Sequence, residues 1–373
     1  MRVLALMAAV STVAAAQSVC PAREVWPDGD WAEALVAPNA ATAALDAYAF
    51  PPGRDEASGR GVRTDGLLLI KGGRIIYERY GRGFARTNRH PARSVSKSFS
   101  SALIGVAVRE GLVALEDSVC THLPEFTGRP QCAIRVIDTI THGSGLAWQE
   151  VGFDGVESSL WAMLHGEGHR DFVAFVMGHA MATTPGTRWS YNTGTASLAA
   201  AIAQRAFEKK YGRDALWKAL FEPIGAPGLT LEFDLAGAPI GGSAVYATPR
   251  DFARLGYLFL NDGCWRGARL LPEQWVAFST TTSDVYAHSD VEPDKHGMPN
   301  GYLWWVNEPL PPPFAPGLPL PDVPRGGYAA IGTWNQLLFV VPTLDLVVVR
   351  TADDHDSSFN LNDFLKLVQA VAR

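Results

Sequence analysis

Two hairpin patterns near opposite ends of the chain most constrain its fold. Residues 66–80, GLLLIKGGRIIYERY, are two β-rich runs around Gly72-Gly73, a pair that supplies the positive φ of a tight turn. Residues 336–350, QLLFVVPTLDLVVVR, are a second such pair around Pro342-Thr343. The chain between them carries mostly helical patterns. The expected fold class is therefore α/β (α+β): an antiparallel sheet built from the N- and C-terminal segments, flanked by helices, with a mostly helical region inserted. The expected boundaries are a sheet subdomain over about 17–93 and 235–373 and a helical subdomain over about 94–234.

Five helices are expected. Residues 94–110 are apolar on most faces, which marks a buried helix, and Gly111 is a natural stop. A short helix is expected over 171–177 and an Ala-rich one over 195–210. Thr248-Pro249-Arg250-Asp251 reads as a capping box with Pro at the first helical position, opening a helix to about Leu260. The last helix is expected over 358–372, with residues 353–358, DDHDSS, as its cap region. Residues 309–324, PLPPPFAPGLPLPDVP, read as a stiff, extended loop, either a surface connector or a wall of a site.

The 373 residues are 47% hydrophobic and 19% charged, with a net charge of -6. No basic run exists to neutralise phosphates, which argues against a nucleic-acid partner. The first residues read as an export signal. Met1-Arg2 is a basic start, residues 3–13 are mostly apolar, and Ala14-Ala15-Ala16 suits a signal peptidase. The expectation is a signal peptide over 1–16 and a periplasmic or secreted product, with no stable membrane insertion because the apolar stretch is too short to span a bilayer. Cys20 lacks the small preceding residue of a lipoprotein box. Four cysteines in an exported chain suggest disulfides. Cys120 and Cys132 flank a short loop and make the favoured pair; Cys20 with Cys264 follows by exclusion, and buried free thiols are the alternative.

The helix over 94–110 opens with Ser94-Val95-Ser96-Lys97. Positions i and i+3 share a helix face, so an ammonium sits beside a hydroxyl. Desolvation and the positive end of the helix dipole lower a Lys pKa, and the neutral amine can take the Ser proton. The Ser94 N–H at the helix start is free to meet an oxyanion. Lys97 is the only Lys of the seven with a Ser three residues before it. The dull alternative is a helix cap with a solvated first turn. Further on, PGTRWSYNTG (185–194) places Tyr191 on a turn before a helix, where a phenol could relay protons. AAIGTWNQ (329–336) puts Gly332 on a strand that could face a reacting carbonyl.

These segments, with THGSGL, VYATPRDFARLGYLFLNDGCWRGARLLPEQWV and NGYLWWV, stand in one order over most of residues 63–350. In that order the chain resembles the serine β-lactamase-like hydrolases, related to class C β-lactamases and similar to 6-aminohexanoate-dimer hydrolase and the family's esterases. The resemblance implies a β-lactamase/transpeptidase-like fold. It implies that Ser94 is acylated, that Lys97 is its base, and that Tyr191 is the second-motif tyrosine. It puts Thr333 beside Ser94 as the second oxyanion-hole N–H. Ala330-Ile331-Gly332 falls on the strand that meets substrate, with Asn192 also at the substrate site. Trp304 and Trp305 match an aromatic pair that is structural in the family. No metal and no organic cofactor is implied; the expected partner is a small-molecule ester or amide.

Two departures shift the expected substrate. The second motif, usually Tyr-x-Asn, is Tyr191-Asn192-Thr193, so its amide is missing. Ala330 stands where β-lactamases carry a Lys that holds a substrate carboxylate. Both favour a serine hydrolase of esters or short amides. A β-lactamase or D-alanyl-D-alanine carboxypeptidase is the alternative, kept open by Arg325, which would restore the charge if it folded inward. A non-catalytic ligand-binding relative is the third reading, opposed by Ser94, Lys97 and Tyr191. Two other clusters read as weaker sites. His142 with Ser144 lacks a nucleophile elbow, and His165, Glu167 and His169 lack zinc-site spacing.

Overall fold

The computed structural model describes residues 19–54, 56–150, 158–289, 297–314 and 316–373. The expected signal peptide, residues 1–16, lies outside the described residues.

The two hairpins form where their turn residues put them. Strands β2 (Thr64–Lys71) and β3 (Arg74–Tyr80) are joined by Gly72 and Gly73 at φ +58° and +79°, a turn that fits the strand twist. Strands β6 (Gln336–Val341) and β7 (Leu346–Ala352) flank a short turn at Pro342–Leu344. The hairpins then meet, because β7 pairs antiparallel with β2 from Leu346 opposite Lys71 to Arg350 opposite Leu67. With β1 (Ala32–Glu33), β4 (Trp305–Val306) and β5 (Tyr328–Gly332) they make a seven-stranded sheet in the order β1-β3-β2-β7-β6-β5-β4. The sheet is mixed rather than purely antiparallel, since β1 runs parallel to β3.

Strands β2, β6 and β7 are buried on both faces, which is why they read as unbroken apolar runs. Leu67, Leu69, Phe339 and Val348 face helices α1 (Ala40–Ala49) and α5 (Leu361–Ala372) through Leu45, Phe364 and Val368. Leu68, Ile70, Leu338 and Val347 face the opposite side. That side holds α4 (Pro249–Leu260) and, beyond it, α2 (Ser96–Arg109) and α3 (Thr193–Tyr211). Each such fully buried Leu or Phe contributes about 2 kcal/mol of transfer free energy.

Helix α4 starts as its sequence dictates, with the Thr248 side chain accepting from Asp251 N–H and Pro249 in the first turn. Four expectations are corrected. The helix over 94–110 begins as a separate 3-10 turn, Arg93–Val95, before α2 proper. Helix α5 starts at Leu361, capped by Asn360. The acidic stretch before it is a tie and not a cap, because the Asp354 carboxylate lies 2.7 Å from Nη1 of Arg350, both fully buried. The Pro-rich stretch is not extended. It folds back in turns, since the Asn307 amide donates to the carbonyls of Leu320 and Val323, both at 3.0 Å. Both expected disulfides form, Cys20–Cys264 and Cys120–Cys132, and no free cysteine is found among the described residues.

Candidate active site

Ser94 sits in the 3-10 turn that leads into α2. Arg93, immediately before it, adopts φ +51°, a costly conformation for a residue with a Cβ. Ser94 is partly exposed, whereas Val95 and the next turns of α2 are buried. The Arg93 guanidinium lies 4.6 Å from the centre of the Trp334 ring, on the loop that follows β5.

Lys97 is 2% exposed, so the reading of a solvated first turn fails. Its Nζ lies 2.9 Å from Ser94 Oγ, 2.8 Å from Thr193 Oγ1 and 2.9 Å from the Gly242 carbonyl oxygen. The Tyr191 ring lies face-on beneath it, with the ring centre 4.7 Å from Nζ. Burial pushes the Lys97 pKa down from 10.5 to about 8, against a smaller opposing pull from Glu150. A substantial share of Lys97 is therefore neutral in mildly alkaline solution and able to accept a proton.

The buried serines of α2 explain how a polar helix start is held in a core. Ser96 Oγ accepts the Val245 N–H, Ser98 Oγ donates to Leu303 O, and Ser100 Oγ donates to Gly241 O. The Ser96 and Ser100 bonds stitch α2 to the 241–245 segment, and the Ser98 bond ties it to Leu303. Gly241 and Gly242 let that segment wedge between α2 and α3. A Cβ on Gly241 would meet Ala200 Cβ at 2.2 Å, and one on Gly242 would meet Thr193 O at 2.4 Å.

Tyr191 stands on the turn before α3, stacked on Trp305 at 5.7 Å between ring centres and against His142 at 4.5 Å. Asn192 is buried, and its side-chain oxygen accepts the Thr195 N–H at 2.9 Å, capping α3. His142 Nδ1 accepts the Asn192 N–H at 3.2 Å. Burial, and then the nearby Lys97, hold the His142 pKa well below its usual 6.5. His142 is thus a neutral support for the Tyr191 turn. Ser144 Oγ accepts from Leu146 N–H and makes no bond to His142. His165 stacks on Trp161, and Arg325 is exposed. Trp304 is fully buried against Phe259 and Tyr328, as an architectural residue should be.

The end of β5 presses on the Ser94 turn. A Cβ at Gly332 would lie 2.4 Å from Ala92 O and 3.0 Å from Ser94 N, so only glycine allows this approach. Thr333 follows directly. Ala330 faces the core with Val95 and Phe99, and Ile331 faces the cluster of Trp189, Tyr191 and Trp305. The loop after Thr333 needs positive φ at Trp334 (+64°) and Asn335 (+60°). It is tied down by Asn335 Nδ2, which donates to Asp354, and by Arg350, which donates to Asn335 O and to Asp354.

Three residues at Lys97 escaped the sequence reading. Thr193 occupies the position of the missing motif amide, and its hydroxyl takes over the contact to Lys97. Glu150 accepts from Thr193 N–H at 2.9 Å, from Trp148 Nε1–H at 2.6 Å and, through a short bond, from Thr193 Oγ1. Gly242 was legible only as a Gly-Gly pair, a sign of close backbone approach. A cavity of about 370 Å³ is lined by Gly145, Trp148, Thr183 and Ser190 among others, and by none of Ser94, Lys97 and Tyr191.

Comparison with known proteins agrees with this architecture. The chain is 25% identical over 301 residues to the 6-aminohexanoate-dimer hydrolase of Paenarthrobacter ureafaciens, covering 77% of this chain and 72% of that one. A Bacillus anthracis structure provisionally named a 6-aminohexanoate-dimer hydrolase superposes with a TM-score of 0.69 at 19% identity, over 93% of this chain and 87% of the other. The β-lactamase/D-alanine carboxypeptidase of Pseudomonas syringae gives a TM-score of 0.59 at 16% identity, over 88% and 98% of the two chains. Residues 40–370 match the family model described as Beta-lactamase, and the chain belongs to that family of hydrolases.

Proposed function

We propose that the protein is a serine hydrolase that cleaves esters or short amides through an acyl-Ser94 intermediate. One observation carries the proposal: a fully buried Lys97 amine with its Nζ 2.9 Å from Ser94 Oγ. Neutral Lys97 takes the hydroxyl proton as Ser94 Oγ bonds to the substrate carbonyl carbon. The N–H groups of Ser94 and Thr333 receive the oxyanion. The proton passes through Lys97 and the Tyr191 phenol to the leaving oxygen or nitrogen as its bond to carbon breaks. Water then attacks the acyl ester, the same pair takes its proton, and Ser94 recovers its own.

Ala330, Ile331 and Gly332 form the strand that flanks the substrate, with Asn192 shaping the turn across from it. The strand itself carries no cation for a substrate carboxylate, since Ala330 stands where β-lactamases have a Lys, and Arg325 is exposed. This favours simple esters and amides over β-lactams or D-alanyl-D-alanine termini. Two disulfides suit an oxidising compartment, which accords with export and a periplasmic or secreted site of action.

The test uses the purified protein against a p-nitrophenyl ester, a linear amide and a chromogenic cephalosporin. Ser94→Ala is expected to lose more than about 1,000-fold in kcat on the ester. Retained esterase activity in that variant refutes the mechanism. Faster turnover of the cephalosporin than of the ester moves the assignment to the β-lactamase reading.

A further inference from the structure

We propose that Glu150 is a positioning residue that fixes the direction of the Lys97 lone pair, acting through the Thr193 hydroxyl. The inference rests on the Ser94–Lys97 reading above and concerns a carboxylate that no motif of the chain announces.

The protons around Lys97 Nζ can be counted. Among the described residues, Lys97 Nζ has three polar neighbours: Ser94 Oγ, Thr193 Oγ1 and Gly242 O. A carbonyl oxygen can only accept. A hydroxyl has a single proton to give, and Thr193 gives it to Glu150 Oε1. Towards Lys97, Thr193 can therefore also only accept. A neutral amine has two N–H bonds and one lone pair. The two obligate acceptors take both N–H bonds, so the lone pair is left on the side of Ser94 Oγ. Were the Thr193 hydroxyl free to turn, its proton would compete with Ser94 for that lone pair.

Glu150 is itself held in the accepting state. Its Oε2 receives the Trp148 indole N–H at 2.6 Å and the Thr193 backbone N–H at 2.9 Å. Three donors thus converge on one carboxylate, and both of its oxygens act as acceptors. The groups that face Lys97 are this carboxylate across Thr193, His142, kept uncharged by burial, and the Tyr191 ring. The negative charge of Glu150 also raises the Lys97 pKa, so it trades some free amine for a correctly aimed one.

The test is Glu150→Gln. An amide there has to offer its carbonyl to the two donors at the Oε2 position. Its NH2 then faces Thr193 Oγ1, and the hydroxyl proton turns towards Lys97. With a p-nitrophenyl ester, kcat is expected to fall about 100-fold with KM changed less than about threefold. The acid limb of the kcat/KM profile is expected to move to lower pH, because the charge that raised the Lys97 pKa is gone. Thr193→Val should lose a similar factor, and Thr193→Ser should run at least about tenfold faster than Thr193→Val. Adding Glu150→Gln to Thr193→Val should cost little more, since the two act as one unit.

A folded Glu150→Gln protein with the wild-type kcat and pH profile overturns the inference. So do losses that multiply in the double variant. If Glu150→Gln does not fold, Thr193→Val decides, and a wild-type rate there overturns it. If the wild-type enzyme shows no Ser94-dependent burst of p-nitrophenol, the underlying mechanism falls and takes the inference with it. A Ser94-dependent burst with an unaffected Glu150→Gln sinks the inference alone.

Discussion

A lysine sealed in a core is a stability liability whose size depends on pH. The Lys97 pKa drops from 10.5 to about 8 on folding, which near neutral pH amounts to about 3 kcal/mol against the folded state. Between those two values the unfolded chain holds a proton on Lys97 that the folded chain does not. Stability therefore rises with pH across that window, and below it the cost is fully present. Urea unfolding of wild type and Lys97→Met from pH 7 to 10.5 isolates this group. Wild type should gain about 3 kcal/mol on the variant over that range, and parallel curves would refute the burial account. That Ser94, Lys97 and Tyr191 come together was legible in the sequence, because local spacing and motif order carry it. Thr193 was visible only as the absence of an amide. Glu150 was not visible at all, because the loop that delivers it obeys no spacing rule.

Among the elements, the loop after β5 depends most on one distant partner. Arg350 and Asp354 form a fully buried ion pair, and Asn335, two residues past Thr333, bonds to both. Asp354→Ala leaves the Arg350 cation buried without its carboxylate and should cost about 3–5 kcal/mol in chemical denaturation. Turnover at a temperature where the variant is folded should fall as well, since the loop beside Ser94 loses its tie. A variant that loses stability but keeps full kcat would separate the ion pair from the site. The hairpins and α4 were readable because glycine, proline and a threonine cap act locally. The ion pair was hidden inside an acidic run that resembled a helix cap. The Pro-rich stretch misled for a related reason: composition reports stiffness, but the Asn307 amide that bends the stretch lies outside it.

For the whole molecule, the sheet drawn from both chain ends is backed by a covalent closure. Cys20–Cys264 links residues 244 apart, whereas Cys120–Cys132 spans 12. In the chain-entropy account the long loop is worth about 5 kcal/mol and the short one about 3. Replacing Cys20 and Cys264 by Ser should therefore lower the melting temperature more than replacing Cys120 and Cys132. The reverse order, measured by calorimetry, would show that strain or residual structure outweighs loop closure. The division into sheet and helical regions was legible from the order of patterns. The docking of α2 through its serines was not, because a buried hydroxyl and an exposed one look alike in a sequence.

The desolvated environment of Lys97 also has a meaning in time. Its neighbours come from positions 94, 193 and 242, and the strand that presses on Ser94 ends at Gly332. A chain made from its N-terminus has Ser94 early and the last of these parts near its end. Until they arrive, Lys97 is hydrated and protonated, with the ordinary basicity of a surface lysine. On the mechanism proposed above, the half-made polypeptide lacks the neutral amine that Ser94 would need. Competence comes with completion of the fold.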